Sequence, residues 1–419
     1  MKITDIEAIP LKMPFLPEMA SFMHLSQKTL EAVTLYRVRL ASGAVGYGDQ
    51  MGAPTEVGGF IGRDAVAGLR DITHGGVQMA CYDAVGKALG LPAHALMGRQ
   101  VRRRVPFAYW TMDLPPGMFV KQTRHAASLG HRTFKFKTRP WWDIVEQIEA
   151  VSRVAPPGFA FWLDFNGHLR EARQALPILR ELSRYDCVGG FESPIPQRDA
   201  EGYNILCRKI DRPIAAHYGS GCCHVRSDPE FDRGTPAGVQ IARRLCDGFV
   251  LGGDDVETIR QRAGVADEAR IPFWIQTVGT GLRAAWVAHI ASTCKQGLLS
   301  HLAAHDIRQR DIASPPKPVA GWMPVPEGPG LGVEVDEAAV EAQRVESPEP
   351  TLRRISTVVY PNGLRWCFGG EHQRHEAFYF GDLPGFVRGI RMEIQMDDGS
   401  GEFEDLYRRC TEVPVVVGG

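Results

Sequence analysis

Thr133-Phe134-Lys135-Phe136-Lys137-Thr138 places two lysines two positions apart, with phenylalanines interleaved. Alternation with period two predicts a strand carrying Phe134 and Phe136 on one face and Lys135 and Lys137 on the other. Two orientations are open. A half-buried strand of the ordinary kind would hide the rings and wet the amines, the common fate of lysine. Turned the other way, the amines would stand inside a barrel mouth as bases that remove a proton from carbon.

Acids follow at regular intervals. Phe161-Trp162-Leu163-Asp164-Phe165-Asn166 is a short apolar run closed by Asp164 and Asn166. Gly190-Phe191-Glu192-Ser193-Pro194 is another, closed by Glu192, and Pro213-Ile214-Ala215-Ala216-His217-Tyr218 is a third. From Lys137 to Asp164 is 27 positions, from Asp164 to Glu192 is 28, and from Glu192 to His217 is 25. A strand, a loop and a returning helix need about 30 residues in a βαβ unit. Polar groups at that period, each ending an apolar run, belong at the carboxyl ends of successive parallel strands, where a βα-barrel keeps its chemistry. Two carboxylates meeting beside two lysines would be costly without a cation or substrate to compensate them.

The elements that must position these groups are bounded by length and composition. A chain of 419 residues has room for a barrel and an added domain. Lys+Arg 48 against Asp+Glu 49 leaves a net charge of −1, which gives a nucleic acid nothing to hold. No apolar run is long enough to span a bilayer, and Met1-Lys2-Ile3-Thr4 leads into strand-like sequence without a secretory leader. The 9 cysteines are odd in number and form no framework, consistent with reduced thiols in a cytoplasm. Cys222-Cys223-His224 lacks the C-x-x-C spacing of a zinc knuckle and is expected to be structural.

Strands are expected over Lys2–Met13, Thr34–Leu40 and Val45–Asp49, with Ala41-Ser42-Gly43 as a turn. Between the first two, the loop Pro17–Gln27 carries Met19, Phe22, Met23 and His24, suited to lining a pocket or covering a core. Apolar spacing then predicts a helix over Gly76–Leu89, stopped by Gly90. Here Ala80-Cys81-Tyr82-Asp83-Ala84-Val85-Gly86-Lys87-Ala88-Leu89-Gly90-Leu91-Pro92 resembles the passage from capping domain to barrel in the enolase superfamily. The mandelate racemase and muconate-lactonizing branch is the nearest match. Lys135-Phe136-Lys137, Asp164-Phe165-Asn166 and Phe191-Glu192-Ser193-Pro194 resemble that branch's motifs in order, and Val325–Val333 resembles its strand returning to the cap.

The resemblance implies an α/β fold: a modified (β/α)₈ TIM-type barrel with an N-terminal α+β capping domain and a β-rich C-terminal extension. Residues 1–104, completed by 320–345, would form the cap, 105–319 the barrel and 346–419 the extension. Barrel strands would begin near Val105, Phe134, Phe161, Gly190, Ile214, Gly248, Phe273 and Leu298. Pro17–Gln27 and Asp49–Val57 would be capping loops over a small-molecule carboxylate substrate, and relatives imply a homo-oligomer. In the extension, Pro361-Asn362-Gly363 would turn a hairpin, and Ala377–Phe380 and Arg391–Met396 would add strands, packed on the barrel flank or a neighbouring subunit.

The shared reaction of the superfamily removes the proton next to a carboxylate and stabilises the enediolate with a metal. By resemblance Lys137 is the base, Lys135 lowers its pKa and holds the carboxylate, and His24, Asn166 and Gln276 contact substrate. Asp164 and Glu192 match two metal ligands. The third should be acidic, but His217 stands there, with Tyr218 after it. Resemblance implies Mg²⁺, whereas an imidazole suits a transition metal; His217 could instead act as an acid or base, or as a satisfied histidine beside no metal. The His-Asp pair of the racemases is missing, with Gln276 aligned at the histidine and Gly252-Gly253 on the preceding strand. A one-base reaction is therefore expected, an acid dehydratase more than a racemase, with Ser300, His301 or His305 as candidate acid. Trp110, Met112, Trp141, Trp142 and Trp274 near strand ends suggest an apolar pocket. The alternative is a diverged barrel that binds a ligand or partner without proton abstraction.

Overall fold

The computed structural model describes residues 1–26, 30–222, 227, 230, 233–253, 255–346 and 353–417, the side chains of 24–26 excepted. Strands β1 (Ile3–Lys12), β2 (Ala32–Leu40) and β3 (Val45–Met51) form an antiparallel sheet in that order, with helix α1 (Ala20–Ser26) between the first two. Helices α2 (Ala65–Asp71), α3 (Gly75–Leu89) and α4 (Ala93–Met97) follow, and α3 lies across β2 and β3. Gly46 and Gly48 allow that approach, because a Cβ at either would strike the carbonyl oxygen of Ala80 or Gly76. Asp83, buried on α3, accepts from the Tyr47 N–H at 2.9 Å, the Lys87 ammonium at 2.7 Å and the Leu331 N–H at 2.8 Å. One carboxylate thus ties helix, sheet and returning chain together. Asp49, at the far end of β3, ion-pairs with Arg283 at 2.9 Å and accepts from the Thr280 N–H at 2.6 Å.

The barrel is a parallel sheet of strands β5 (Tyr109–Thr111), β6 (Thr133–Lys137), β7 (Ala160–Asp164), β8 (Val188–Glu192), β9 (Ile214–His217), β10 (Gly248–Leu251) and β11 (Phe273–Ile275) in sequential order. Between them run α5 (Pro116–Ser128), α6 (Ile144–Ser152), α7 (Ala172–Leu182), α8 (Ala200–Lys209), α9 (Ala237–Arg243) and α10 (Val256–Ala269), and α11 (Gly281–Ser292) follows. The ring closes through two residues: His301 bridges in parallel to Phe107, and Leu302 to Gln276. Two of the expected starts therefore shift. Strand β4 (Arg104–Pro106) lies outside the barrel because it pairs antiparallel with β12 (Trp322–Pro324), so the chain joins the barrel at Phe107, just before β5. The eighth position is reached at His301 rather than Leu298. Helix α12 (Glu337–Gln343) then returns the chain to the first sheet, where the Val345 N–H donates to Pro10 O at 3.0 Å.

Beyond it, β13 (Arg354–Val359) and β14 (Arg365–Phe368) form the hairpin expected around Asn362-Gly363, with Gly363 at φ 87°. Strands β15 (Arg391–Met396) and β16 (Val415–Val417) complete a sheet of order β15-β13-β14-β16, with α13 (Glu371–Tyr379) and α14 (Gly401–Glu412) interposed. Ala377–Phe380 is not a strand; it ends α13. Arg374, His375, Phe378 and Tyr379 are the buried residues of that helix, a spacing of four that the aromatic run had masked. No described helix is long and apolar enough to cross a membrane.

Candidate active site

Phe134 and Phe136 pack outward on Phe119 of α5, with ring centroids 5.9 and 4.1 Å away. Lys135 and Lys137 consequently face the barrel interior and are buried. Parallel register sets Lys137 beside Asp164 and Asp164 beside Glu192 across β6, β7 and β8, so the spaced residues converge. Lys137 Nζ lies 2.5 Å from Asp164 Oδ2. Lys135 Nζ lies 3.2 Å from Asp164 Oδ2 and 2.6 Å from Glu192 Oε2. Two ammonium groups thus meet two carboxylates in a buried cluster whose charges cancel.

The lysines differ in how tightly they are held. Lys135 also donates to Gln276 Oε1 from across the barrel and sits 5.6 Å from the Trp274 ring centroid. Gln276 in turn accepts from Trp274 Nε1 at 3.2 Å. Lys137 has Asp164 as its anion, and its side chain is 8% exposed against 2% for Lys135. Burial pulls the Lys137 amine below the ordinary lysine value; Asp164 opposes that and Lys135 adds to it. Burial pushes the Asp164 carboxyl up, but Lys137 and Lys135 together hold it well below the usual carboxylate range.

His217, at the end of β9, points its Nε2 at Glu192 Oε1, 3.3 Å away. Gln197 sets that strand end, accepting from the His217 N–H at 2.7 Å and donating to its carbonyl at 3.0 Å. Tyr218 turns away and packs on Phe249 at 5.2 Å. Glu192 Oε2 has the Lys135 ammonium beside it, whereas Glu192 Oε1 and His217 Nε2 are buried and face each other. Among the described residues no three His, Cys, Asp or Glu side chains already surround a common point. The donor chemistry, two carboxylates with Glu192 Oε1 and His217 Nε2 turned to one another beside Asp164, nevertheless fits a divalent cation. Lys135 would have to withdraw from the carboxylates for one to enter.

Other expected residues are placed differently. Both polar atoms of the Asn166 amide are engaged within the protein: Arg139 Nη2 donates to Oδ1 at 3.1 Å, and Nδ2 donates to Cys222 O at 3.0 Å. Asn166 therefore braces the site from behind, and its backbone N–H donates to Asp164 Oδ1 at 3.0 Å. His301 is not brought to the lysines. Its Nδ1 accepts from the Ile275 N–H at 2.9 Å and its Nε2 faces Gly297 O at 3.4 Å, while burial lowers its pKa to about 3. A neutral histidine with both nitrogens used closes the barrel wall, so it offers no acid to substrate. The side chain of His24 lies outside the described residues, as do Cys223 and His224. Its helix α1 does reach the barrel mouth: Met23 Sδ accepts from the Met112 N–H at 3.4 Å, and Phe22 stands 6.1 Å from Trp142.

Sequence reasoning missed Asp113, Arg139 and Gln197. Asp113 Oδ2 accepts from the indoles of Trp141 and Trp142 at 2.8 and 3.0 Å, so those tryptophans are oriented by an acid just past β5. Arg139 continues the period-two series Lys135, Lys137, a signal that was present but unused.

The family model described as enolase C-terminal domain-like matches residues 118–222 and 251–339. A D-galactonate dehydratase of Xanthomonas axonopodis pv. citri (strain 306) is 31% identical over 323 residues, covering 70% of this chain and 76% of that protein. The muconate lactonizing enzyme of Pseudomonas putida superposes with a TM-score of 0.64 at 20% identity, covering 82% of this chain and all (100%) of that one. An enolase of Thermobispora bispora DSM 43833, crystallised with magnesium and formate, superposes with a TM-score of 0.64 at 20% identity, over 82% of this chain and 92% of its own. At those identities the structural likeness is one of fold.

Proposed function

This chain belongs to the mandelate racemase/muconate lactonizing enzyme branch of the enolase superfamily, and we propose that it is a dehydratase of a hydroxy carboxylic acid with Lys137 as its base. One observation carries the reading. Lys137 projects into the barrel mouth held by one carboxylate, while Gln276 is what reaches the same cluster from the opposite strands. A single base on one face suits elimination better than racemisation, which needs a base on each face.

To act as the base, Lys137 gives up its ammonium proton and works as the amine, a change that burial eases and Asp164 opposes. It takes the proton α to the substrate carboxylate, and the C–H electron pair moves into the enediolate. The ammonium so formed returns that proton to the β-hydroxyl on the same face, the C–O bond breaks, and water leaves. Where the substrate carries a second hydroxyl on the α-carbon, the product is an enol, which takes a proton at C3 and becomes a 2-oxo acid. Lys135, fixed by Trp274 and Gln276, meets the substrate carboxylate with its positive charge. Asp164, Glu192 and His217 would hold a divalent metal, magnesium by likeness to relatives, which when bound supplies positive charge against the enediolate.

Screening hydroxy acids in deuterated water tests the reading. Wild-type protein should give from one of them a 2-oxo acid carrying deuterium at C3, where the enol is reprotonated, and Lys137→Ala should give none. If no carboxylic acid exchanges its α-proton, the diverged barrel that binds without turnover is the better description.

A further inference from the structure

We propose that Tyr379, on helix α13 of the C-terminal extension, is a positioning residue for the lysine–carboxylate site. The proposal rests on the reading of Asp164 and Lys137 as site residues. Asp164 spends one oxygen on Lys137 and the other on the backbone N–H of Asn166, 3.0 Å away. That N–H reaches back to Asp164 from a left-handed residue, Asn166 at φ 44°, with Gly167 at φ 80° after it. Left-handed backbone is uphill for a residue with a side chain and persists when its surroundings hold it.

The extension supplies part of the hold. Tyr379 OH donates to the Asn166 carbonyl at 2.8 Å, and its buried ring stacks on His168 with centroids 4.0 Å apart and planes 21° from parallel. His168 Nδ1 donates to Phe165 O at 2.8 Å, leaving Nε2 to accept from His375 Nδ1 at 3.1 Å. One helix of the extension therefore grips the loop after β7 at both Asn166 and His168. The helix is itself seated on the barrel, with Arg374 4.5 Å above the Trp141 ring and Phe378 5.7 Å from it. A helix that merely covered the barrel flank would not need its hydroxyl on the peptide that aims an N–H at Asp164. The extension lies beyond residue 339, where the family-model match ends, so this chain carries its own brace for a site on the shared barrel.

Tyr379→Phe keeps the ring and removes only the hydroxyl. It should lower kcat for α-proton exchange about tenfold and leave KM within about twofold, the pattern of a contact that matters in the transition state. Amide exchange over residues 166–168, read by mass spectrometry without substrate, should speed up roughly tenfold while the rest of the barrel is unchanged. Phe378→Leu, which thins the same interface, should lower Tm and leave both kcat and that exchange rate unaltered. Wild-type kcat and wild-type loop exchange in Tyr379→Phe would overturn the proposal, as would equal effects from the two variants. If no substrate is found, faster loop exchange in Tyr379→Phe alone still supports the positioning role, and the failure counts against the dehydratase reading only.

Discussion

Strands β6 to β9 end in or beside Lys137, Asp164, Glu192 and His217, whereas β10 ends in Leu251 and β11 runs out into Gln276. Both halves of the barrel mouth are built from the same strand–helix repeat. On the first half, neighbouring strands in register bring each lysine within 3.2 Å of a carboxylate. On the second, the histidine that sequence would recruit, His301, spends its nitrogens on Ile275 and Gly297. A buried charge is tolerated where an opposite charge is already fixed beside it, so charged groups gather on one side. The other half closes the ring and supplies an uncharged amide. A one-sided mouth argues for one-base chemistry.

The largest effect that could break this comparison belongs to Lys137→Ala, which should lower kcat for α-proton exchange by about 10²-fold or more, as loss of a general base does. Near-wild-type turnover would show that the charged half is not where the proton goes. Next comes His217→Ala. Elemental analysis of protein purified without chelator, with titration of both forms, should show metal affinity falling roughly 10- to 100-fold, as for residues that support a metal site. Tight metal that survives the change removes His217 from the ligand set.

A smaller effect concerns pH. With Lys137 as the proposed base, whose pKa burial lowers below the ordinary 10.5, kcat/KM should rise with pH along a limb beneath that value. Lys135 contributes to the lowering, and Lys135→Met should move the limb to higher pH in a pH–rate profile. A limb that stays put would mean that the two amines are not coupled. The smallest effect on activity is expected on the other half: His301→Leu should leave kcat unchanged and cost about 1–3 kcal/mol in denaturant unfolding, by orphaning the Ile275 N–H. Loss of activity without loss of stability would restore His301 as a candidate acid.

Spacing alone marked Lys137, Asp164, Glu192 and His217 as strand ends, because the βαβ repeat has a length that the chain cannot hide. Alternation alone marked Lys135 and Lys137 as sharing a face, because side chains on a strand point to opposite sides in turn. Which face, inward or outward, was decided by Phe119 of α5 taking Phe134 and Phe136, a contact between elements that period-two alternation leaves open. Tertiary structure alone decided that Lys135 meets Gln276, that Asn166 braces Asp164, and that His301 is satisfied in the wall. The same holds for Tyr379, which lies 213 positions from the Asn166 carbonyl that it holds. Local sequence encodes period and propensity, whereas the partner of a polar atom depends on what the folded chain brings within 3 Å or so of it, and only the closed barrel with its extension docked specifies that.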